Sequence, residues 1–298
     1  MSKVLVIVGP TAIGKSSLSI NLAKRFNGEI INGDSIQVYK ELNIASAKIT
    51  KEEMNGIPHH LLDYKEVTDD YNVAFFQQDG QKAIEDITSR GKLPIICGGT
   101  GLYIKALLYD YTFLKQEETI NNDYSQYSNE QLFEMLKQLD FQSSLSIHPN
   151  NRKRVIRALD MAKSGSSKSE QEAKQEHKLL YDAKIISLTM DREKLRSRID
   201  QRIEIMLNQG LLDEINYLFS KYPYDLHCFQ GIGYKEFIPY YKNIKTLQEC
   251  IEDVKTHTKQ FAKRQYTWFR NQMPVDWYDI ENKDYPNNVY KDVEEFLK

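Results

Sequence analysis

The residues with the most chemistry in them are Gly9-Pro10-Thr11-Ala12-Ile13-Gly14-Lys15-Ser16, which fit the pattern G-x-x-x-x-G-K-[ST]. Glycines let such a loop curl until its backbone N–H groups point inward. The helix behind it adds unpaired amides and the positive end of its dipole. Lys15 supplies a mobile cation, and Ser16 a hydroxyl for Mg²⁺. The device grips a di- or triphosphate. Two more loops carry candidate groups, Gly33-Asp34-Ser35-Ile36-Gln37 and Gly98-Gly99-Thr100-Gly101. Asp34 could act as a general base or a Mg²⁺ ligand, and Thr100 as a hydroxyl that orients a reactant. A solvated turn or a helix cap accounts for the same residue types.

The elements that must hold these loops are legible in the hydrophobic pattern. Val4 to Val8 is an apolar, β-branched run and reads as a strand; Leu18 and Leu22 in the following segment lie one helical turn apart. Glu29–Asn32 and Leu93–Cys97 read as further strands, and Val73–Phe76 with Ile84 and Ile87 as a helix. This alternation predicts an α/β fold, a parallel sheet of the P-loop nucleoside-triphosphate-hydrolase type with helices on both faces. In such a sheet ligands bind beyond the carboxyl ends of the strands. All three loops fall there if their strands are neighbours. The strand Leu93–Cys97 ends in Gly98, not in the Asp that usually holds Mg²⁺ opposite a P-loop Ser. The diphosphate grip therefore stands without its usual hydrolytic partner, which leaves room for a substrate other than ATP.

Composition shifts after about Asp110. Residues 115–130 are polar, Glu130–Leu139 and Arg152–Lys163 read as helices, Ser164–Ser169 as a polar loop, and Ala183–Leu188 returns to strand. The expected organisation is a core of residues 1–111 and 181–298 with a helical insertion at 112–180.

The chain has 298 residues, 41% apolar and 28% charged, as in a soluble globular protein. No apolar run approaches the ~20 residues of a membrane span, and the start lacks a signal peptide's apolar stretch, so a cytoplasmic protein is expected. Cys97, Cys228 and Cys250 show no metal-ligand spacing, and His59-His60 have no third ligand nearby. A net charge of −2 means that a nucleic acid must be held by local basic patches. Three candidates exist. Arg198 and Arg202 sit at i, i+4 on a helix spanning Asp191–Gln209, whose apolar face is Leu195, Ile199, Ile203 and Met206. Such like-charge pairs cost about 0.2–0.5 kcal/mol and call for a nearby anion. Arg152-Lys153-Arg154 continues to Arg157, which shares a face with Arg154. In the C-terminal helix, Lys255, Lys259 and Lys263 form a row outside a stripe of Leu247, Ile251, Val254, Phe261 and Trp268. Each cluster alone is an ordinary solvated face; together they could follow a nucleic-acid backbone. The turn Gln230-Gly231-Ile232-Gly233-Tyr234 leads into a helix, and its Gln could touch a ligand.

On these residues alone, a kinase using ATP and a nucleotide-dependent RNA-binding module remain open. More of the chain bears on the choice. GPTAIGKS at 9–16, GDSIQVYKELNIASAK at 33–48, HHLLD at 59–63, GGTGLYIKALL at 98–108, NRKRVIRAL at 151–159, RIDQRIEIMLNQGLLDEI at 198–215, GIGYKE at 231–236 and AKRQYTWFR at 262–270 together resemble the tRNA dimethylallyltransferase family. The resemblance implies transfer of a dimethylallyl group from dimethylallyl diphosphate to N6 of adenosine 37, next to the anticodon, in tRNAs reading codons that begin with U. It implies that the loop from Gly9 through Thr11, Ala12, Gly14, Lys15, Ser16 and Ser17 holds the pyrophosphate with Mg²⁺, and that Arg202 reaches the same group. Asp34 would take the proton from N6. Asp34, Ser35, Ile36, Gln37 and Thr100 would contact the flipped base, and Lys153, Arg154 and Arg157 the anticodon stem-loop. A monomer is expected. There are departures: Ala45-Ser46-Ala47-Lys48-Ile49-Thr50 replaces the family's G-T-A-K-P-T, an arginine near the start of the insertion is missing around Asn122-Asp123, and the insertion is trimmed around 164–175.

Overall fold

A strand whose residues are apolar on both faces can only sit in the middle of a covered sheet. β1 (Lys3–Val8) is such a strand, with Val4 through Val8 fully buried. The structure is a computed structural model describing residues 1–111, 113, 123–164 and 178–298. It divides into two compact units, Met1–Leu108 with Leu179–Lys298, and Tyr109–Lys178.

In chain order the first unit runs β1, α1 (Lys15–Arg25), β2 (Gly28–Asn32), α2 (Lys51–Met54), β3 (His59–His60), α3 (Val73–Ser89), β4 (Leu93–Cys97) and α4 (Gly101–Leu108). The second unit contributes α5 (Asn129–Leu139), α6 (Phe141–Ser146) and α7 (Arg152–Lys163). The first unit then resumes with β5 (Asp182–Thr189), α8 (Arg192–Asn208), α9 (Leu211–Lys221), α10 (Ile238–Tyr241), α11 (Leu247–Gln272), β6 (Asp276–Asp279) and α12 (Asn287–Leu297). Its six strands form one parallel sheet in the order β3-β2-β4-β1-β5-β6. β4 lies between β1 and β2, with Ile95 opposite both Leu5 and Ile30. The loops that follow these three strands therefore leave the same sheet edge side by side. Among the described residues no helix is long and apolar enough to cross a membrane.

β3, β6, α9 and α12 add to the expected elements. His59 and His60 are the edge strand beside β2, and no described group of His, Cys, Asp or Glu could bind a metal ion. His60 instead bonds Glu29 at 2.7 Å. Arg90 grips that same buried carboxylate with both Nη atoms and Lys92 with its Nζ, holding the acid far below its usual range.

α11 corrects two expectations. Its buried stripe is Cys250, Val254, Ala262, Gln265 and Phe269; Leu247, Ile251, Phe261 and Trp268 are only half-buried. The lysine row is not a free basic face. Lys255 pairs with Glu204 at 2.8 Å and Lys259 with Asp200 at 2.6 Å, tying α11 to α8, and only Lys263 of the three is exposed.

The second unit has its own core of Tyr124, Leu132, Leu136, Ile147, Val155, Ala158 and Leu159. Arg152 belongs to that framework, not to a basic patch. Its guanidinium donates to the carbonyls of Tyr124 (2.6 Å) and Tyr127 (2.8 Å) and to Asn129 Oδ1. Lys153, Arg154 and Arg157 are exposed on α7. The polar stretch 115–122 and the loop at 165–169 lie outside the described residues, as does Asn122.

Candidate functional site

The phosphate loop takes its shape from two requirements: curl tightly after β1, and start a helix at once. Gly14 sits at φ +106°, in the left-handed region that side chains avoid, and α1 begins at the next residue. Ser16 and Ser17 are exposed in the first turn of α1, where helix amides lack partners. Lys15 bends back over the loop, and its Nζ donates to the Pro10 carbonyl at 2.7 Å. Burial lowers its pKa to about 8, against the pull of Cys97 and Asp34 and with the repulsion of Arg202. Burial likewise depresses Arg202, countered by Glu53 and Asp34. For both cations burial outweighs the carboxylates nearby, so a further anion entering the site would be favoured.

The loop after β2 is a tight turn closed by its own acid. Asp34 Oδ1 accepts the backbone N–H of Ile36 at 2.8 Å and of Gln37 at 3.2 Å. Both of these turn bonds fall on Oδ1. Ser35 N–H donates to Thr100 Oγ1 at 3.3 Å, and Thr100 N–H to the Gly33 carbonyl at 3.3 Å. These bonds fasten the second and third loops together. Gln37 spends its amide N–H groups on the carbonyls of Ser46 and Ala47, so it shapes the neighbouring segment. That segment is anchored by Glu214, whose carboxylate accepts the N–H groups of Asn43, Ile44 and Ala45 at 2.7–3.1 Å.

Two adjoining cavities open over these loops. One of about 680 Å³ is lined by Lys15, Ser16, Ser17, Cys97 and Arg198. The other, of about 460 Å³, is lined by Ser35, Thr100 and an apolar wall of Ile199, Ile203, Met206 and Val254. Thr11, Asp34, Arg202 and Phe261 line both. The structure thus brings Asp34, Thr100, Arg202 and the phosphate loop to one place. Arg202 lines both cavities, while the acids two positions either side of it, Asp200 and Glu204, are taken by Lys259 and Lys255. Gln230 and Gly233 also line the smaller cavity. The residues that sequence reasoning left without a role are Gln265 and Glu214. Gln265 Oε1 accepts the Thr11 N–H at 2.9 Å, and its Nε2 donates to the Gly99 carbonyl at 3.0 Å. A polar residue on the apolar stripe of a long helix is the signal that could have found it.

Fold and site together define an α/β P-loop protein in which an anion cradle adjoins a chamber with one apolar wall. Comparison with known proteins narrows this. The family model for IPP transferase matches residues 37–272. A tRNA dimethylallyltransferase of Anoxybacillus flavithermus is 50% identical over 281 residues, covering 93% of this chain and 90% of that protein. The crystal structure of a tRNA isopentenylpyrophosphate transferase from Staphylococcus epidermidis is similar, with a TM-score of 0.75 and 41% identity over 99% of each chain. A eukaryotic dimethylallyltransferase acting on tRNA matches with a TM-score of 0.84 and 32% identity, covering 100% of this chain and 80% of that one. The chain belongs to the IPP transferase family.

Proposed function

We propose that this protein transfers a dimethylallyl group from dimethylallyl diphosphate to N6 of adenosine 37, next to the anticodon, in tRNAs reading codons that begin with U. The coarse activity, dimethylallyl transfer to tRNA, comes with the family. The adenosine 37 and U-codon assignments follow from the family resemblance; the proposed site chemistry rests on one observation, that the cavity of the phosphate loop and the cavity of Thr100 share Asp34 and Arg202 as lining.

In this reading the diphosphate lies over the loop amides, Lys15 and Arg202. As the allylic C–O bond breaks, negative charge grows on the leaving diphosphate, and these preorganised donors stabilise it. The N6 amine attacks the allyl carbon, forming a C–N bond, and Asp34 Oδ2 accepts the proton lost from nitrogen. Oδ1 stays occupied by the turn, which fixes the direction of the free oxygen. The apolar wall of Ile199, Ile203 and Met206 suits the five-carbon tail and keeps water from the developing cation. The base must leave its stack, at a cost of a few kcal/mol that an anticodon loop reduces. Exposed Lys153, Arg154 and Arg157 would meet RNA phosphates.

Mg²⁺ fits the donor set. No described cluster of protein ligands could hold a metal alone, but the Ser16 hydroxyl and diphosphate oxygens are the hard oxygen ligands that Mg²⁺ takes together with substrate phosphates. When bound, it would neutralise charge on the diphosphate. Incubation of the chain with labelled dimethylallyl diphosphate, Mg²⁺ and unmodified tRNA tests the proposal. Mass spectrometry of the nucleosides should find adenosine enlarged by one five-carbon unit; label-free RNA overturns it.

A further inference from the structure

Gln265 is 5% exposed, on the inner face of the longest helix, and its amide is used at both ends. The partners fix its orientation, because Thr11 N–H needs an acceptor and the Gly99 carbonyl needs a donor. The approach is close enough to require glycine at 99, where a Cβ would lie 2.2 Å from Gln265 Nε2. One side chain thus joins two loops that lie 254 and 166 positions away from it. From Gly99 the connection runs on. Thr100 follows it in the chain, and Thr100 Oγ1 holds the N–H of Ser35, the neighbour of Asp34.

We propose that Gln265 is a positioning residue that sets the spacing between the phosphate loop and the Thr100 and Asp34 loops, so that the leaving diphosphate and the attacking amine share one alignment. The chemistry invoked rests on the prenyl-transfer reading above; the clamp itself is a matter of loop geometry. A displacement of about 1 Å between reacting groups can cost about 10²-fold in rate. Loosening the Thr11 end also disorders the cradle and lowers its affinity for diphosphate.

A carboxyl at this position makes the idea measurable. Glu keeps the length of Gln and the acceptor for Thr11. When ionised, it sets an oxygen against the Gly99 carbonyl; when protonated, it can donate to that carbonyl as the amide does. Burial raises the pKa of such a carboxyl. The charged and titratable groups lining the same cavity are Lys15, Lys24, Asp34, Glu53, His59, Cys97, Arg198 and Arg202; their own titration is shared with the parent and cancels in a ratio, while their coupling to the new carboxyl moves the pH at which the ratio changes.

The test measures two quantities for the parent, Q265E and Q265L from about pH 8 down to about pH 5.5, the window of a raised carboxyl pKa. One is kcat/KM for transfer to an anticodon stem-loop. The other is affinity for inorganic pyrophosphate by calorimetry. The ratio of Q265E to parent should rise about tenfold or more as pH falls, in both quantities, while Q265L stays low throughout. A ratio flat with pH, or Q265L equal to the parent, overturns the clamp. If the parent chain prenylates no RNA, the functional reading falls, and the pyrophosphate ratio still decides the clamp.

Discussion

Lys15 donates to the Pro10 carbonyl of its own loop at 2.7 Å, so its ammonium is parked over the cradle in advance. Its pKa of about 8 comes chiefly from burial. An incoming diphosphate favours the charged form. Below pH 8 the ammonium is already present; above it, binding must also take up a proton. Affinity for inorganic pyrophosphate should therefore fall by up to about tenfold per pH unit above about 8 and level off below it. Calorimetric titration checks this; affinity that does not change across that range refutes it. Lys15→Met should weaken binding about 10- to 100-fold, the worth of a charge-assisted bond.

Asp34→Asn separates the two duties of the acid. Asn Oδ1 can still accept the N–H groups of Ile36 and Gln37, so the turn survives. The proposed proton acceptor is lost. Transfer should slow by about 10²–10⁴-fold while pyrophosphate affinity stays within a few-fold. Asp34→Ala loses the turn as well and should harm both. An Asn variant at full rate removes Asp34 from the chemistry.

On α7, Arg154→Ala and Arg157→Ala should weaken RNA binding with little change in folding stability, because both side chains are exposed. Each should reduce the slope of log affinity against log salt by roughly one. Arg152→Ala should behave oppositely. It strips donors from two carbonyls and an amide oxygen, and should lower the unfolding midpoint. Filter binding across a salt series, beside denaturant melts, distinguishes the two patterns.

Gly101 opens α4 directly under the indole of Trp268, and a Cβ there would lie 2.2 Å from the ring. Gly101→Ala should destabilise by about 1–3 kcal/mol, as overpacking does. A smaller residue at 268 should recover part of that loss; chemical denaturation of the single and double variants reads the coupling.

Much of this was legible in the residues. β4 and α7 follow the hydrophobic pattern residue for residue, at Leu93–Cys97 and Arg152–Lys163, because the first is an unbroken apolar run and the second is strongly periodic. The three loops were legible for the same reason, since each closes a readable strand. His59–His60 carries too little pattern to announce an edge strand, and only its pairing with Ile30 and Ile31 makes it one. The α11 lysines read as solvated because their partners, Asp200 and Glu204, lie on another helix. Gln265 is the sharper case. Its role depends on two backbone groups far away in the chain, and no local rule reports contacts of that range.

The bond between Thr11 and Gln265 joins residues 254 positions apart in the chain. Synthesis runs from the amino end, and segments fold as they emerge. The cradle is thus made well before its fastening, which lies 254 positions further on. A nascent or truncated chain that stops short of α11 should own the full motif and still hold it slack, so competence for catalysis waits until α11 has been made.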